Sequence, residues 1–150
     1  MFRIPYNRPH ATGKELDYVR EAFAQGHISG NGDFTKRCHA WFAARYGFER
    51  NLLTQSCTDA LEMTALLAGI GAGDEIIAPS FTFVSTVNAF ILRGAKVVFA
   101  DSGAMHPNMD VDAVEALVTP RTRAIVAVHY GGAACPVSYT HLTLPTNREV

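Results

Sequence analysis

The residues best suited to chemistry lie together just ahead of an apolar helical run, in the segment QSCTD at positions 55–59. A helix beginning here would present unpaired backbone N–H groups and the positive end of its dipole. The hydroxyls of Ser56 and Thr58 would complete a cup for a phosphate. The spacing Ser56-x-x-Asp59 is also typical of a plain helix N-cap, which is the commoner use of such residues. These residues alone therefore predict a cap or a phosphate site, with the cap favoured.

A second segment, PSFTFVST at positions 79–86, lies where a buried strand gives way to a helix. In open α/β folds this is the carboxyl edge of the sheet, where ligands bind. Phe81 and Phe83 could stack on a planar ligand ring there. Aromatic packing at the start of a helix is the alternative, and the sequence alone favours it.

The cysteines offer weaker chemistry. Cys57 at a helix N-terminus, with His129 as a base, would suit a cysteine hydrolase or transferase. A small packing residue is the favoured interpretation, because nothing in the sequence brings the two together. Cys38 and His39 lack further ligands at metal spacing, so no metal site is predicted. The chain has three widely spaced cysteines, Cys38, Cys57 and Cys135. This number and spacing are typical of reduced thiols in a cytoplasmic protein.

The elements that must position these residues follow from the apolar pattern. Strands alternate with helices, which predicts an α/β fold with a mostly parallel sheet and helices on both faces. Two N-terminal helices come before the first strand and need a docking surface. The predicted helices are 12–25, 34–46, 60–67, 81–92 and one capped by Asp110; the predicted strands are 75–79, 96–100 and 123–130, with a strand-like pair at 52–53.

Composition narrows the class of protein. The 150 residues are 48% hydrophobic, which is enough for the core of one compact domain. A net charge of −1 argues against nucleic acid as the main partner, since no basic excess exists to neutralise phosphates. No signal peptide or membrane span is predicted, so we expect a cytoplasmic protein with no membrane partner.

With those residues in place, the chain resembles the DegT/DnrJ/EryC1/StrS family of sugar aminotransferases over about residues 3–136. The resemblance is strongest over LLTQSCTDALEMTALLAGIGAGDEIIAPSFTFVSTVNAFILRGAKVVFAD and DVDAVEALVTPRTRAIVAVHYGG. It implies part of the large domain of a fold-type I enzyme with the cofactor pyridoxal 5′-phosphate (PLP). By position, the resemblance implies that Cys57 and Thr58 contact the PLP phosphate and that Phe83 stacks on the PLP ring. Ser56 is a weaker phosphate-binding candidate.

The activity that this resemblance implies is transamination of a nucleotide-linked 4-keto-6-deoxy sugar, with L-glutamate as the amino donor. PLP supplies the electron sink for this chemistry. The resemblance also implies a homodimer for the full-length protein. Two alternatives stay open. One is a PLP-type sugar-nucleotide dehydratase of the same family, and the other is a noncatalytic fragment that binds a phosphorylated ligand or another subunit.

The chain also departs from the family pattern. The family's cofactor-binding lysine and the carboxylate that pairs with the PLP ring nitrogen belong to later motifs that are absent here. The only lysines, Lys14, Lys36 and Lys96, lie in a first turn, a helix and a strand start, and none is a credible substitute. Residues 137–150 lack a helical apolar stripe and are predicted to be a non-native or disordered tail. We therefore expect residues 1–136 to be the N-terminal part of the enzyme, with no catalytic residue of its own and no activity alone.

Overall fold

The structure, a computed structural model, describes residues 8–135. They belong to two compact units, divided between Leu53 and Thr54, which we describe separately. Within the described residues, none of the helices has the length and apolar character needed to cross a bilayer. The segment 137–150, predicted to be a non-native or disordered tail, lies outside the described residues.

The first unit contains two helices, α1 (Glu15–Ala24) and α2 (Asp33–Tyr46). Helix α1 begins three residues later than predicted, because Glu15 reaches back to the preceding turn. Its carboxylate accepts hydrogen bonds from the backbone N–H groups of Thr12 (2.6 Å) and Gly13 (2.9 Å), which lowers the pKa of Glu15 to about 2. Helix α2 ends at Gly47, as predicted, in the left-handed conformation that glycine favours.

Neither helix of the first unit buries a residue. Two large apolar side chains of α1 lie largely in solvent, since Leu16 and Phe23 are each about two-thirds exposed. The unit's aromatic residues pack on one another instead, in a cluster formed by Trp41, Phe42, Tyr46 and Phe48. The prediction that these helices need a docking surface stays a prediction.

The described part of the second unit, residues 54–135, has an α/β fold with three parallel strands in the order β2-β1-β3. Its elements are α3 (Cys57–Leu67), β1 (Glu75–Pro79), α4 (Ser85–Ile91), β2 (Lys96–Ala100), α5 (Val111–Val114, continued by a 3-10 turn Glu115–Leu117), β3 (Thr122–Ile125) and a 3-10 turn Tyr130–Gly132.

The strand predictions for 75–79 and 96–100 are confirmed at both ends, while several other predicted boundaries were wrong. Strand β3 ends at Ile125, not 130, because it pairs only with the first three residues of β1. Helix α4 starts at Ser85, not 81, and α3 starts at Cys57, not 60. The pair 52–53 lies in an irregular segment, not a strand.

The core has a layer on each face of the sheet, because adjacent residues of β1 point to opposite sides. Ile76 packs with α3 and α4, in a buried cluster completed by Ala65, Ile70, Ala89, Phe90 and Ala95. Ile77 packs on the other side with α5, in a cluster completed by Ala100, Met109 and Val114. This arrangement confirms the predicted α/β class, with a parallel sheet and helices on both faces.

Candidate functional site

The N-terminus of α3 carries both the cap and the free donors that the sequence suggested. Ser56 is the N-cap, and its hydroxyl oxygen accepts a hydrogen bond from the Asp59 backbone N–H at 3.1 Å. Within the described residues, the backbone N–H groups of Cys57 and Thr58 have no acceptor. The first turn of a helix cannot satisfy these donors internally. The cap prediction is therefore confirmed, and it leaves two N–H groups available.

The packing of the second unit brings this helix end to the carboxyl edge of the sheet. Helix α3 runs into β1 through a short turn, so the two elements run antiparallel. Helix α3 packs on the sheet through Leu61 and Ala65, in the cluster of Ile76. Because its last turn leads into the amino end of β1, we infer that its first turn lies towards the carboxyl edge.

The segment that follows β1 separates the two candidate aromatic rings. The Phe81 ring packs against Tyr130, with a centroid distance of 4.6 Å and an interplanar angle of 48°. The Phe83 ring has no aromatic partner among residues 8–135 and is 69% exposed. The packing interpretation therefore holds for Phe81, while Phe83 presents a free ring surface.

Phe83 and the α3 N-terminus face the same edge of the sheet. Helix α4 leaves the carboxyl end of β1 and α3 approaches its amino end, so both helices begin at the carboxyl edge and pack side by side. Two free N–H donors, the Thr58 hydroxyl and an exposed aromatic ring form a donor set that fits a phosphate attached to a planar ring. This chemistry is what PLP requires, so the residues present fit the cofactor.

Ser80 and Asp101 extend the same edge where β1 and β2 end. The Ser80 hydroxyl donates to the Asp101 carboxylate at 3.2 Å, and the Ser80 N–H donates to the Ala100 carbonyl at 2.8 Å. These bonds hold the first residue after β1 against the end of β2. The chain leading to Phe83 therefore starts from a fixed point.

His129 does not serve Cys57 as a base. Its Nδ1 accepts a hydrogen bond from the Cys135 backbone N–H at 3.0 Å, and within the described residues no hydrogen bond joins it to Cys57. The Cys135 thiol donates to the Val128 carbonyl at 3.1 Å. These contacts tie down the loop after β3, and nothing in the described part of the chain supports a cysteine nucleophile.

Lys96 lies at the opposite edge of the sheet. It is the first residue of β2, and its Nζ is 3.6 Å from the buried carboxylate of Glu75. Glu75 also accepts hydrogen bonds from Thr119 (2.7 Å) and Arg121 (2.8 Å), which lower its pKa to about 2. This lysine is an anchor of the amino edge and lies one strand length away from the candidate site.

The first unit has a groove of its own, of about 470 Å³, between α1, the loop before α2 and the start of α2. Its lining is mixed and includes apolar Phe23 and Ile28 as well as polar His27 and Asp33. Among residues 8–135, no group of three or more His, Cys, Asp or Glu side chains is arranged to hold a metal ion.

Comparison with known proteins identifies relatives of the chain. Residues 9–141 match the model of the DegT/DnrJ/EryC1/StrS aminotransferase family. The chain is 40% identical over 132 residues to the spore coat polysaccharide biosynthesis protein SpsC of Bacillus subtilis (strain 168). That alignment covers 88% of this chain and 34% of SpsC.

Solved structures agree with the sequence relatives. Spr1654 of Streptococcus pneumoniae, a sugar aminotransferase by name and solved in its PMP form, superposes with a TM-score of 0.84 at 28% identity, over 92% of this chain and 35% of its own. The aminotransferase TlmJ of Streptoalloteichus hindustanus superposes with a TM-score of 0.75 at 40% identity, over 82% of this chain and 34% of its own. The chain thus spans about a third of the length of the relatives that it matches.

Proposed function

Since the chain belongs to the DegT/DnrJ/EryC1/StrS aminotransferase family, we propose that it supplies the phosphate- and ring-binding part of a PLP-dependent sugar aminotransferase. The observation that carries the proposal is that the N–H groups of Cys57 and Thr58 have no acceptor within the described residues, and the exposed ring of Phe83 at the start of the neighbouring helix supports it. Both lie on the edge of the sheet where open α/β folds bind ligands.

In this proposal the N–H groups of Cys57 and Thr58, with the Thr58 hydroxyl, donate to the cofactor phosphate. The partial positive charge at the helix N-terminus strengthens these bonds. Ser56 keeps the helix start in place through its cap, and its own hydroxyl is a weaker phosphate donor. Phe83 stacks on the ring.

When bound, PLP supplies the electron sink that amino-group transfer needs, and the protein residues hold it in place. The proposed substrates are L-glutamate and a nucleotide-linked 4-keto-6-deoxy sugar of the dTDP-4-keto-6-deoxyglucose type. The sequence resembles dTDP-4-amino-4,6-dideoxygalactose transaminase, and SpsC is by name a polysaccharide biosynthesis protein, which supports a role in making a cell-surface polysaccharide. The proposed location is the cytoplasm.

The reaction needs a lysine, which the family resemblance assigns to a motif that this sequence lacks, and Lys96 lies at the opposite edge of the sheet from the candidate site. We therefore place the activity in a longer polypeptide, to which residues 1–136 contribute the N-terminal part of the large domain and which acts as a homodimer. The relatives, about three times as long as the aligned segment, support this view.

Cofactor anchoring can be tested on the 150-residue chain by titrating it with pyridoxamine 5′-phosphate (PMP) and with pyridoxamine, which lacks the phosphate. We expect PMP to bind more tightly. Thr58→Val should weaken PMP binding about 10- to 100-fold, the value of a hydrogen bond to a charged group, and leave pyridoxamine binding unchanged. Thr58→Ser, which keeps the hydroxyl, is the matched control. Equal loss for both ligands would contradict a phosphate role.

The reaction itself is tested on the longest protein encoded in the same reading frame. With L-glutamate and dTDP-4-keto-6-deoxyglucose, we expect 2-oxoglutarate and an amino sugar to form in equal amounts. A product that has lost water with no glutamate consumed would instead identify a dehydratase. We expect the 150-residue chain alone to give neither product.

A further inference from the structure

Asn108 is a buried polar residue that sequence reasoning missed. It lies in the loop after β2, and only 2% of its surface is exposed. Its side-chain Nδ2 donates to the Ala133 carbonyl at 2.8 Å, and its Oδ1 accepts from the Tyr130 backbone N–H at 3.1 Å. One amide therefore joins both ends of the 3-10 turn that follows β3, across more than 20 residues of sequence.

The turn that Asn108 holds has an unusual backbone. Gly131 and Gly132 both have positive φ, at 62° and 83°, a region that side chains other than glycine rarely adopt. Glycine adopts this region without steric cost but has many other conformations open to it, so contacts from outside the turn select this one. The two bonds from Asn108 are contacts of this kind, because they fix the residue on each side of the glycine pair.

Tyr130, the first residue of that turn, connects it to the candidate site through the packing of its side chain. Its ring packs against Phe81 at 4.6 Å, and Phe81 lies two residues before Phe83. The segment 81–84 connects Ser80, which is hydrogen-bonded to Asp101 after β2, to the first turn of α4. Within the described residues, Tyr130 is the aromatic side chain that packs against this segment.

We propose that Asn108 is a positioning residue for the cofactor ring, acting through Tyr130 and Phe81 to fix the orientation of the Phe83 ring. This inference rests on the proposed function, in which the Phe83 ring stacks on the cofactor ring. Asn108 touches no ligand in this account. Asn108 affects cofactor binding only through the orientation of the Phe83 ring.

The test is the circular dichroism of PMP bound to the 150-residue chain, in the cofactor's own absorption band. PMP is achiral, so the band reports only the asymmetric surroundings of the bound ring. We expect Asn108→Ala to remove most of the band and to weaken PMP binding about two- to tenfold, the range of an aromatic stacking contact. Asn108→Asp puts a carboxylate oxygen against the Ala133 carbonyl oxygen in place of the Nδ2 donor, so it should lose the band as Asn108→Ala does.

Two further variants separate positioning from plain stability. Val114→Ala removes buried apolar volume from the cluster that also contains Met109, the neighbour of Asn108 in the chain. Within the described residues, Val114 forms no hydrogen bond to the turn Tyr130–Gly132. The variant should lower the melting temperature and leave the circular dichroism band of PMP intact. Tyr130→Ala should lose the band as Asn108→Ala does, and the double variant should lose no more than Tyr130→Ala alone.

The inference is overturned if Asn108→Ala keeps the band, if Val114→Ala loses it to the same degree, or if the losses in the double variant add. If the unsubstituted chain binds PMP with no phosphate preference and no band, the proposed function fails and this inference fails with it. A wild-type band that is insensitive to Asn108 refutes the positioning role alone.

Discussion

Phe83 and Phe90 offer a direct contrast between a ligand-facing ring and a core ring only seven residues apart. Phe83 is 69% exposed, while Phe90 is 2% exposed in the cluster between α3, α4 and the sheet. Folding therefore removes about a third of the Phe83 side chain from water, but nearly all of the Phe90 side chain. For an aromatic side chain of about 200 Å², these fractions correspond to about 60 and 200 Å².

The burial difference sets the expected size of each effect. At about 25 cal/mol per Å², Phe83→Ala should lower the free energy of unfolding by about 1.5 kcal/mol or less, and Phe90→Ala by about 5 kcal/mol. The order reverses for ligand binding. Phe83→Ala should weaken PMP binding by about 1 kcal/mol, or about fivefold, because the stacking surface is lost.

Urea denaturation with and without saturating PMP measures both quantities in one series. Bound PMP raises the unfolding free energy of the unsubstituted chain in proportion to its affinity. We expect this increment to shrink in Phe83→Ala and to persist in Phe83→Tyr, which keeps an aromatic ring. The reasoning is refuted if Phe83→Ala destabilises the chain as much as Phe90→Ala, or if its PMP increment equals that of the unsubstituted chain.

Two further predictions concern the amino edge and the helix cap. The pKa of Glu75 is lowered from 4.5 to about 2, first by the Thr119 hydrogen bond and then by Arg121, so its ionised form stabilises the fold fully above about pH 4.5. That contribution is lost as the pH falls towards 2. The difference in unfolding free energy between the unsubstituted chain and Glu75→Gln, measured by urea denaturation, should therefore narrow as the pH falls from 4.5 to 2. A difference that stays constant with pH would contradict the assignment. Ser56→Ala should cost about 1 kcal/mol of unfolding free energy through loss of the cap. Ser56→Asp should keep the cap yet weaken PMP binding through its negative charge, and unchanged PMP affinity there would argue against a phosphate at α3.

Local sequence patterns predict the elements of the second unit well where the pattern and the packing agree. The strands 75–79 and 96–100 have their observed limits because turn residues bound each apolar run. The apolar run after Arg123 predicts a strand to 130, yet the strand ends at Ile125. The strand pairs only with the first three residues of β1, and further along, Asn108 holds the Tyr130 backbone in a turn. Neither the pairing limit nor that bond can be predicted from a local pattern.

In the candidate site, too, local sequence predicts some features, while others depend on residues far away in the chain. A cap and a phosphate site look alike in sequence, because both need a small hydroxyl residue before a helix. The structure shows that Ser56 provides the cap and that donors remain free beyond it. Phe81 and Phe83 are also equivalent in sequence, and only the distant ring of Tyr130 separates the packed one from the exposed one.

The central claim is that the start of α3 and the Phe83 ring together hold the phosphate and ring of the cofactor. A crystal structure of the chain with PMP tests it most directly. We expect phosphate oxygens about 2.7–3.2 Å from the backbone nitrogens of Cys57 and Thr58, with the PMP ring stacked on Phe83. A phosphate bound elsewhere on the chain, or a ring that does not contact Phe83, would contradict it.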